Sequence, residues 1–520
     1  MPRSNRYLYF TVFSSGMTTL AIELSASRLL GNVFGTSNLV WASIIGLILI
    51  YLTAGYFIGG LWADRSPHPA TMYTVLIWGA FLAGLVPLPA HPVLRMAADA
   101  FDKLQVGILF GSFASVLVLF SLPVTLLGTI SPFAIRLAIR SPAEAGTVSG
   151  KVYAISTLGS FVGTFLPVLL LIPSIGTAQT FLVFSGFLTL VGLIGLWLIG
   201  GWKKALPWVW MPIILALLIV FRAGQGIKSS AGQIYETESA YNYIQVLEKD
   251  GFRYLRLNDG QGVHSMYHPT QLAFYGPWMQ FLSAPFFNKP PHAPDQVESI
   301  AVVGLAAGTT VRQATAVFGP IPIDGYEIDP KIIEVGRAYF DMNEANLNAI
   351  PQDGRWGLEH SQRRYSLIII DAYRPPYIPW YLTTREFFQI VKDHLQTDGV
   401  VAINVGRAPD DRSLINGLVG TMEAVFTKVY VMDVPDTFNS IIYATVKSTA
   451  LENLYGNLVY LDNQQDVHPL LIEALKRTAL YIVPTPVSKT VFTDDLAPIE
   501  WITNNMVLKF VFLGEVDKLR

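Results

Sequence analysis

Residues 7–222 run through seven apolar stretches, each long enough to cross about 30 Å of hydrocarbon as a helix. They lie near 7–30, 38–62, 71–90, 105–135, 152–173, 177–200 and 206–222. A chain of 520 residues with 52% hydrophobic content is too apolar to be wholly soluble, so a lipid bilayer is the expected partner and a multi-pass membrane protein the expected form. The fourth stretch is overlong and holds Pro123, which predicts a tilt, a kink or a span followed by an interfacial piece. Gly55, Gly59, Gly60, Gly159 and Gly163 recur inside these stretches, as close helix packing without a hydrophobic drive requires. Glu23 and Arg28 lie in the first, where a charge needs a partner, an interface or a polar cavity. That segment is also too long and too charged for a cleavable signal peptide.

The rest of the composition mainly excludes. A formal net charge of -2 and the lack of long like-charge runs argue against nucleic acid, and the absence of cysteine removes disulfides and thiolate metal sites. The eight histidines lack the paired spacing of a metal helix, so no metal is expected. Basic residues (Arg3, Arg6, Arg65, Arg136, Arg140, Lys151, Lys203 and Lys204) fall on one side if the N-terminus is cytoplasmic. Seven full crossings would then put the remainder outside. Either the short seventh or the overlong fourth segment does not cross fully, or the soluble domain is extracytoplasmic; a nucleoside cosubstrate favours the cytoplasm.

From about residue 224 the chain turns polar. Residues 233–267 alternate apolar and polar positions with Asp-Gly punctuation, which reads as a meander of short antiparallel strands. Helical periodicity is read over 269–286, then a Pro-rich connector at Pro290, Pro291 and Pro294. Across 299–447 apolar runs at 300–303, 321–326, 366–370, 398–404, 428–432 and 440–446 alternate with helical stretches, implying a largely parallel sheet covered on both faces. The expected organisation is a helical membrane domain over 1–222, a small β-domain with connector over 223–298, a Rossmann-like nucleoside-binding domain over 299–450 and a less regular extension over 451–520.

Residues 299–340 carry the clearest chemistry. The run at 300–303 ends in Gly304, small residues follow to Gly308, and a helical pattern begins near Thr310, giving strand, tight turn, helix. A second run ends in Glu327, where a carboxylate can accept both ribose hydroxyls of a nucleoside. Ligands of such sheets bind outside the carboxyl ends of the strands, which also selects Asp353-Gly354 and Asp371-Ala372-Tyr373. Asp353 can reach an adenine amino group or serve as ordinary turn chemistry. Asp371 follows a buried-looking strand, where an acid is costly without a partner or a task.

Taken in order, residues 238–246, 257–260, 326–330, 353–355, 365–371 and 382–388 resemble the polyamine aminopropyltransferases, the spermidine synthase family, over about residues 235–447. With the apolar half and the Thr493-Asp494-Asp495 tail, the whole is similar to the membrane-fused spermidine synthase-like proteins of bacteria. The resemblance implies transfer of an aminopropyl group from decarboxylated S-adenosylmethionine to an amine such as putrescine, with Asp371, Tyr373 and Tyr275 at the reacting centre. It implies Gly304, Gly308, Glu327, Asp353 and Gly354 around the nucleoside, Gln245 and Tyr275 toward the acceptor, and a possible homodimer.

Two positions depart from the pattern. Ala307 stands where the family commonly has an acid that holds the donor's amine, and Arg374 stands where it commonly has a second acid. Asp494 or Asp495 is a candidate to fold back and supply the missing charge. The alternatives are an S-adenosylmethionine-dependent transferase with another acceptor, or a polyamine transporter or sensor with a degenerate enzyme domain. A short loop at 63–66, similar to one in major facilitator transporters, motivates the latter.

Overall fold

The structure is a computed structural model and describes residues 3–34, 38–90, 92–93, 108–222, 230–258, 262–274, 276–372, 378–408 and 411–512. It divides into two compact units, Met1–Ser229 with Glu236–Tyr243, and Ser230–Tyr235 with Ile244–Arg520.

The first unit is helical. Among the described residues, five helices are long and apolar enough to cross a membrane: Val40–Arg65, Pro69–Ala90, Phe113–Ala138, Pro142–Ile175 and Thr177–Gly200. A sixth is added if the pair Trp202–Trp208 and Trp210–Phe221, bent by 43°, counts as one. The helix Arg3–Phe34 is not among them, because hydroxyl side chains, Glu23 and Arg28 dilute its apolar content. Five or six thus stand against the seven expected, and both weak members are ones with an identifiable cause, polar dilution or a bend. The helix expected to be irregular is interrupted at Thr129, between Ile108–Gly128 and Ile130–Ala138.

Most of the glycines are contact points. A Cβ on Gly159 or Gly163 would overlap the carbonyl of Phe13 or Met17, and one on Gly59 would come within 2.6 Å of Thr129 Cα. Gly60, by contrast, faces open space. Arg28 spends its guanidinium on backbone, donating to the carbonyls of Tyr241 (2.9 Å) and Ser239. Within the same unit, Glu238 accepts from the Thr177 amide (2.6 Å) and hydroxyl (2.9 Å), capping the helix Thr177–Gly200 at its positive end.

Two sheets follow, the larger wholly in the second unit and the smaller in it except for residues 236–243. Residues 233–267 do form the expected meander, β1 (Gln233–Glu238), β2 (Tyr243–Lys249), β3 (Phe252–Leu257) and β4 (Val263–Tyr267), paired in that order. It is a separate sheet but not a separate body: Ile244, Val246 and Leu255 share an apolar cluster with Ala307, Ile332, Val335 and Phe340 of the α/β layer. The large sheet contains β5 (Ile300–Val303), β6 (Ile323–Glu327), β7 (Leu347–Pro351), β8 (Tyr365–Ile370), β9 (Leu395–Gly406), β10 (Lys428–Asp433), β11 (Asn439–Thr445) and β12 (Ile482–Val483). Their order is β12-β10-β11-β9-β8-β5-β6-β7. From β7 to β9 the strands are parallel, whereas β11 and β10 run antiparallel to their neighbours, so the sheet is mixed. The central β5 and β8 are buried along their whole length, as helices on both faces require.

Two expectations need correction here. Residues 269–286 are not an α-helix; a 3₁₀ run, Trp278–Phe287, follows irregular chain, because Pro277 and Pro285 cannot donate to an α ladder and every side chain of the run is buried. The chain beyond 450 is also no loose extension. Leu454, Leu461, Leu470, Leu471 and Leu475 belong to one core cluster, Phe492, Ile499 and Met506 to the other, and β12 pairs with β10.

Candidate active site

The chain leaves β5 for β6 and β7 on one side and returns to β8 on the other, so the strand order reverses between β5 and β8. The carboxyl ends of strands at such a reversal leave a crevice. Gly304 ends β5 and Asp371 ends β8, so the sequence-selected residues flank this point. Gly304 is forced to be glycine twice over: its φ is +91°, and a Cβ would stand 2.6 Å from the Asp371 carbonyl and the Ala372 amide. Gly308, at φ +84°, opens the helix Thr309–Phe318, and a Cβ there would meet Met342.

The turn between them is fully satisfied from within. The amides of Gly304 and Leu305 donate to the Tyr326 carbonyl, both at 3.0 Å, and that of Gly308 to the Leu305 carbonyl at 3.1 Å. Ala306 donates to Glu327 Oε2 and Ala307 to the Ser265 hydroxyl, each at 2.9 Å. A phosphate cradle needs unspent amides, so this turn suits the sugar and thioether of a nucleoside better than a pyrophosphate. The Ala307 methyl is buried beneath the small sheet, facing Ile332 and Val335 rather than open space.

Glu327 is buried at the end of β6, accepting from Ala306 and, through Oε1, from the Asp329 amide at 3.1 Å. Burial pushes its carboxyl up to about 7, against the opposing pull of those amides. Ile328, next to it, leaves an apolar face exposed. Asp371 accepts from Asn404 Nδ2 at 2.9 Å, and burial pushes it too up to about 7, with Asn404 pulling the other way. Two near-neutral carboxyls at one edge are a prepared place for a cationic ligand, whose charge would return both to the ionised form.

Asp353 caps the helix Gly354–Glu359, accepting from the Trp356 amide at 3.0 Å, while its other oxygen accepts from the Tyr381 hydroxyl at 2.9 Å. Gly354 lets that helix approach β5, since a Cβ would sit 2.5 Å from Val303. Tyr275, Tyr373 and Arg374 lie outside the described residues. Gln245 is buried in the small sheet, donating to Ser230 Oγ (2.9 Å) and Gln233 Oε1 (2.6 Å).

Asp494 is taken by a two-point pair with Arg355 (2.8 and 2.6 Å), receives the Thr384 hydroxyl at 2.7 Å, and is held below the usual carboxylate range by that guanidinium. Asp495 is exposed in a turn closed by reciprocal hydrogen bonds between Thr493 and Leu496.

Sequence reading missed Asn404, which the alternation of β9 does carry at the position opposite Asp371. It also missed a charged cluster at the same edge. Asp433 at the end of β10 takes two hydrogen bonds from Arg412 (2.8 and 2.9 Å) and one from Ser440 (2.6 Å), with Arg407 Nε at 3.5 Å. Two guanidiniums thus gather around one carboxylate at the β9–β10 end of the edge.

Residues 287–455 match the family described as the spermine/spermidine synthase domain. That stretch is similar to a spermidine synthase domain. Over 290 residues it is 30% identical to the "Probable polyamine aminopropyl transferase" of Bifidobacterium longum, covering 51% of this chain and 61% of that one. It is 26% identical over 246 residues to the "Polyamine aminopropyltransferase" of Vibrio vulnificus, covering 45% of this chain and 78% of the relative. Among solved structures, a probable spermidine synthase from Corynebacterium glutamicum aligns with 50% of this chain and 99% of its own, with a TM-score of 0.39 and 19% identity. Against that pattern, this chain has its turn, its β6 acid and its β8 acid on one sheet edge, and its tail acid Asp494 is paired with Arg355.

Proposed function

We propose that the protein is a membrane-tethered aminopropyltransferase that moves an aminopropyl group from decarboxylated S-adenosylmethionine to an amine such as putrescine. The observation that carries this is the placement of Asp371 at the strand reversal, beside the Gly304 turn and held by the Asn404 amide. An alkylamine has a pKa of about 10.4 and arrives protonated, so it must lose a proton before it can attack. Relative to an ordinary aspartate, a carboxyl at about 7 narrows that mismatch by roughly three units, about 4 kcal/mol. Asp371 takes the proton; the freed amine nitrogen bonds to the carbon beside the sulfonium; the carbon–sulfur bond breaks with its electron pair going to sulfur. Positive charge passes from sulfur to nitrogen and a neutral thioether leaves.

In this reading Glu327 accepts the ribose hydroxyls, Asp353 the adenine amino group, and Ile328 supplies a face for the base. Gly304, Gly308 and Gly354 keep the backbone close. The five or six apolar helices support a bilayer anchor, and the use of a nucleoside cosubstrate supports a site on the cytoplasmic side. The purified full-length protein, given decarboxylated S-adenosylmethionine and putrescine, is expected to release 5′-methylthioadenosine and a triamine by mass spectrometry. No thioether above background from a protein that binds 5′-methylthioadenosine would overturn the reading.

A second reading is favoured by one observation. Arg407 and Arg412 stand around Asp433 at the far end of the edge, two guanidiniums for a carboxylate on the acceptor to meet. An acceptor amine that carries a carboxylate suits that end. Supplying γ-aminobutyrate in place of putrescine separates the two: faster thioether release with the amino acid favours this acceptor, and slower release the diamine.

A further inference from the structure

Away from the sheet edge, a cavity of about 310 Å³ lies between residues 269–272 and the outer face of the helix Thr309–Phe318, where Arg312, Thr315 and Ala316 stand one turn apart. Two of its lining side chains bear opposite charges, and each has one polar atom without a hydrogen bond in the protein. Arg312 Nη1 and Glu344 Oε2 are both shielded from solvent and make no hydrogen bond within the protein, and both residues line the one cavity. Arg312 is not simply loose: its Nη2 donates to the Pro269 carbonyl at 3.1 Å, and its guanidinium lies over the Tyr267 ring at 4.4 Å from the centroid. Shielded charges without partners are costly, so a fixed guanidinium and an unspent carboxylate oxygen across one cavity call for a molecule that serves both.

We propose that this cavity is a second binding site, for a small zwitterion of the amino-acid type. A carboxylate meets Arg312 Nη1, an ammonium meets Glu344 Oε2, and a short aliphatic side chain lies against Leu272 and Ala316. The volume is at the lower end of small-molecule sites. A diamine is refused by Arg312 and a dianion by Glu344, so the site is distinct in chemistry from the crevice beside Asp371, and it stands whether or not the aminopropyl-transfer reading holds.

The test is calorimetry on the detergent-solubilised full-length protein with L-leucine, and with the two molecules that each lack one of its charges, 4-methylpentanoate and 3-methylbutylamine. Leucine is expected to bind saturably, and each half-ligand at least tenfold more weakly. Arg312→Met and Glu344→Gln are each expected to weaken leucine at least tenfold. Ala316→Phe, on an exposed helix face, fills the cavity and is expected to abolish binding with unchanged circular dichroism, which decides the matter should the charge variants fail to fold. Absence of saturable leucine binding, half-ligands that bind as tightly, or leucine affinity indifferent to Ala316→Phe would each overturn the proposal.

Discussion

Asn404 donates from Nδ2 to Asp371 Oδ1 at 2.9 Å, across the parallel pair in which β8 and β9 end side by side. The bond favours the ionised carboxylate and opposes the burial that pushes Asp371 up to about 7. The two effects together set the proton affinity of the one acid that ends a central strand at the reversal of the sheet.

If Asp371 takes the acceptor's proton, only its ionised form is productive. The kcat/KM for thioether release is expected to rise with pH through about 7 and then level until other groups titrate. Replacing Asn404 by Leu removes the opposing bond, so the rising limb is expected to move to higher pH and the rate at pH 7 to fall about three- to tenfold. Asp371→Asn is expected to lose roughly 10²- to 10⁴-fold at every pH. A pH–rate profile for the three proteins checks this, and an unmoved limb in Asn404→Leu would count against the pairing as a control on the base.

The same shift has a stability sign. A carboxyl whose folded pKa lies above its unfolded value of about 3.9 penalises the fold once ionised, so its contribution worsens as pH rises from about 4 to about 7 and is constant above. Asp371→Asn removes that penalty. The variant is expected to be more stable than the parent at pH 8, by up to about 4 kcal/mol from the size of the shift and about 2 kcal/mol after allowing for solvent at the rim, and equal to it near pH 4. Thermal unfolding of both proteins at the two pH values measures the difference.

Gly304 fixes how near β5 and β8 end. Alanine there would adopt φ +91° and press a methyl on the Asp371 carbonyl at 2.6 Å, so Gly304→Ala is expected to cost about 2–3 kcal/mol of stability and to shift Asp371 enough to reduce turnover at least 100-fold. Gly319, also at positive φ but with open space around it, is the control. Alanine there bears the backbone strain alone, so its turnover is expected to stay within a factor of two.

Asp494 separates a structural acid from a substrate acid. Its carboxylate is shared between Arg355 and Thr384, holding the tail against the helix Gly354–Glu359 and the chain ahead of Arg385. With both partners partly exposed, Asp494→Asn is expected to lower stability by about 1 kcal/mol. The KM for the amine is expected to stay within a factor of two. A tenfold rise in that KM with unchanged melting would return Asp494 to the acceptor site.

What the sequence exposes follows from where the information is local. Runs such as IAVVG and SLIIID announce buried strands by composition and mark their ends by the residue that breaks the run, so Gly304, Glu327 and Asp371 were readable from their positions alone. β7 was not, because an edge strand that is half exposed shows no apolar run. The antiparallel direction of β10 and β11 depends on a connection geometry that no run of residues encodes. Asp494 and Arg355 are 139 residues apart, and nothing in either neighbourhood names the other. The tail reads as irregular because it packs by single large side chains: Phe492 fits only because Gly417 leaves a gap in the helix Ser413–Glu423.

Asp353 presents two roles that one pair of substitutions can divide. As a helix cap it accepts from the Trp356 amide, and a side-chain oxygen at that position is worth about 1 kcal/mol. As a reader of adenine it would need its second oxygen, now accepting from Tyr381. Asp353→Ser keeps a capping oxygen and loses the second acceptor, whereas Asp353→Ala loses both. The alanine variant is therefore expected to melt several degrees lower and the serine variant close to the parent, while both are expected to bind 5′-methylthioadenosine about tenfold more weakly, as the loss of one hydrogen bond to a buried base predicts. Affinity that follows melting, restored by serine along with the cap, would show that Asp353 acts on the nucleoside only by holding the helix Gly354–Glu359 in place.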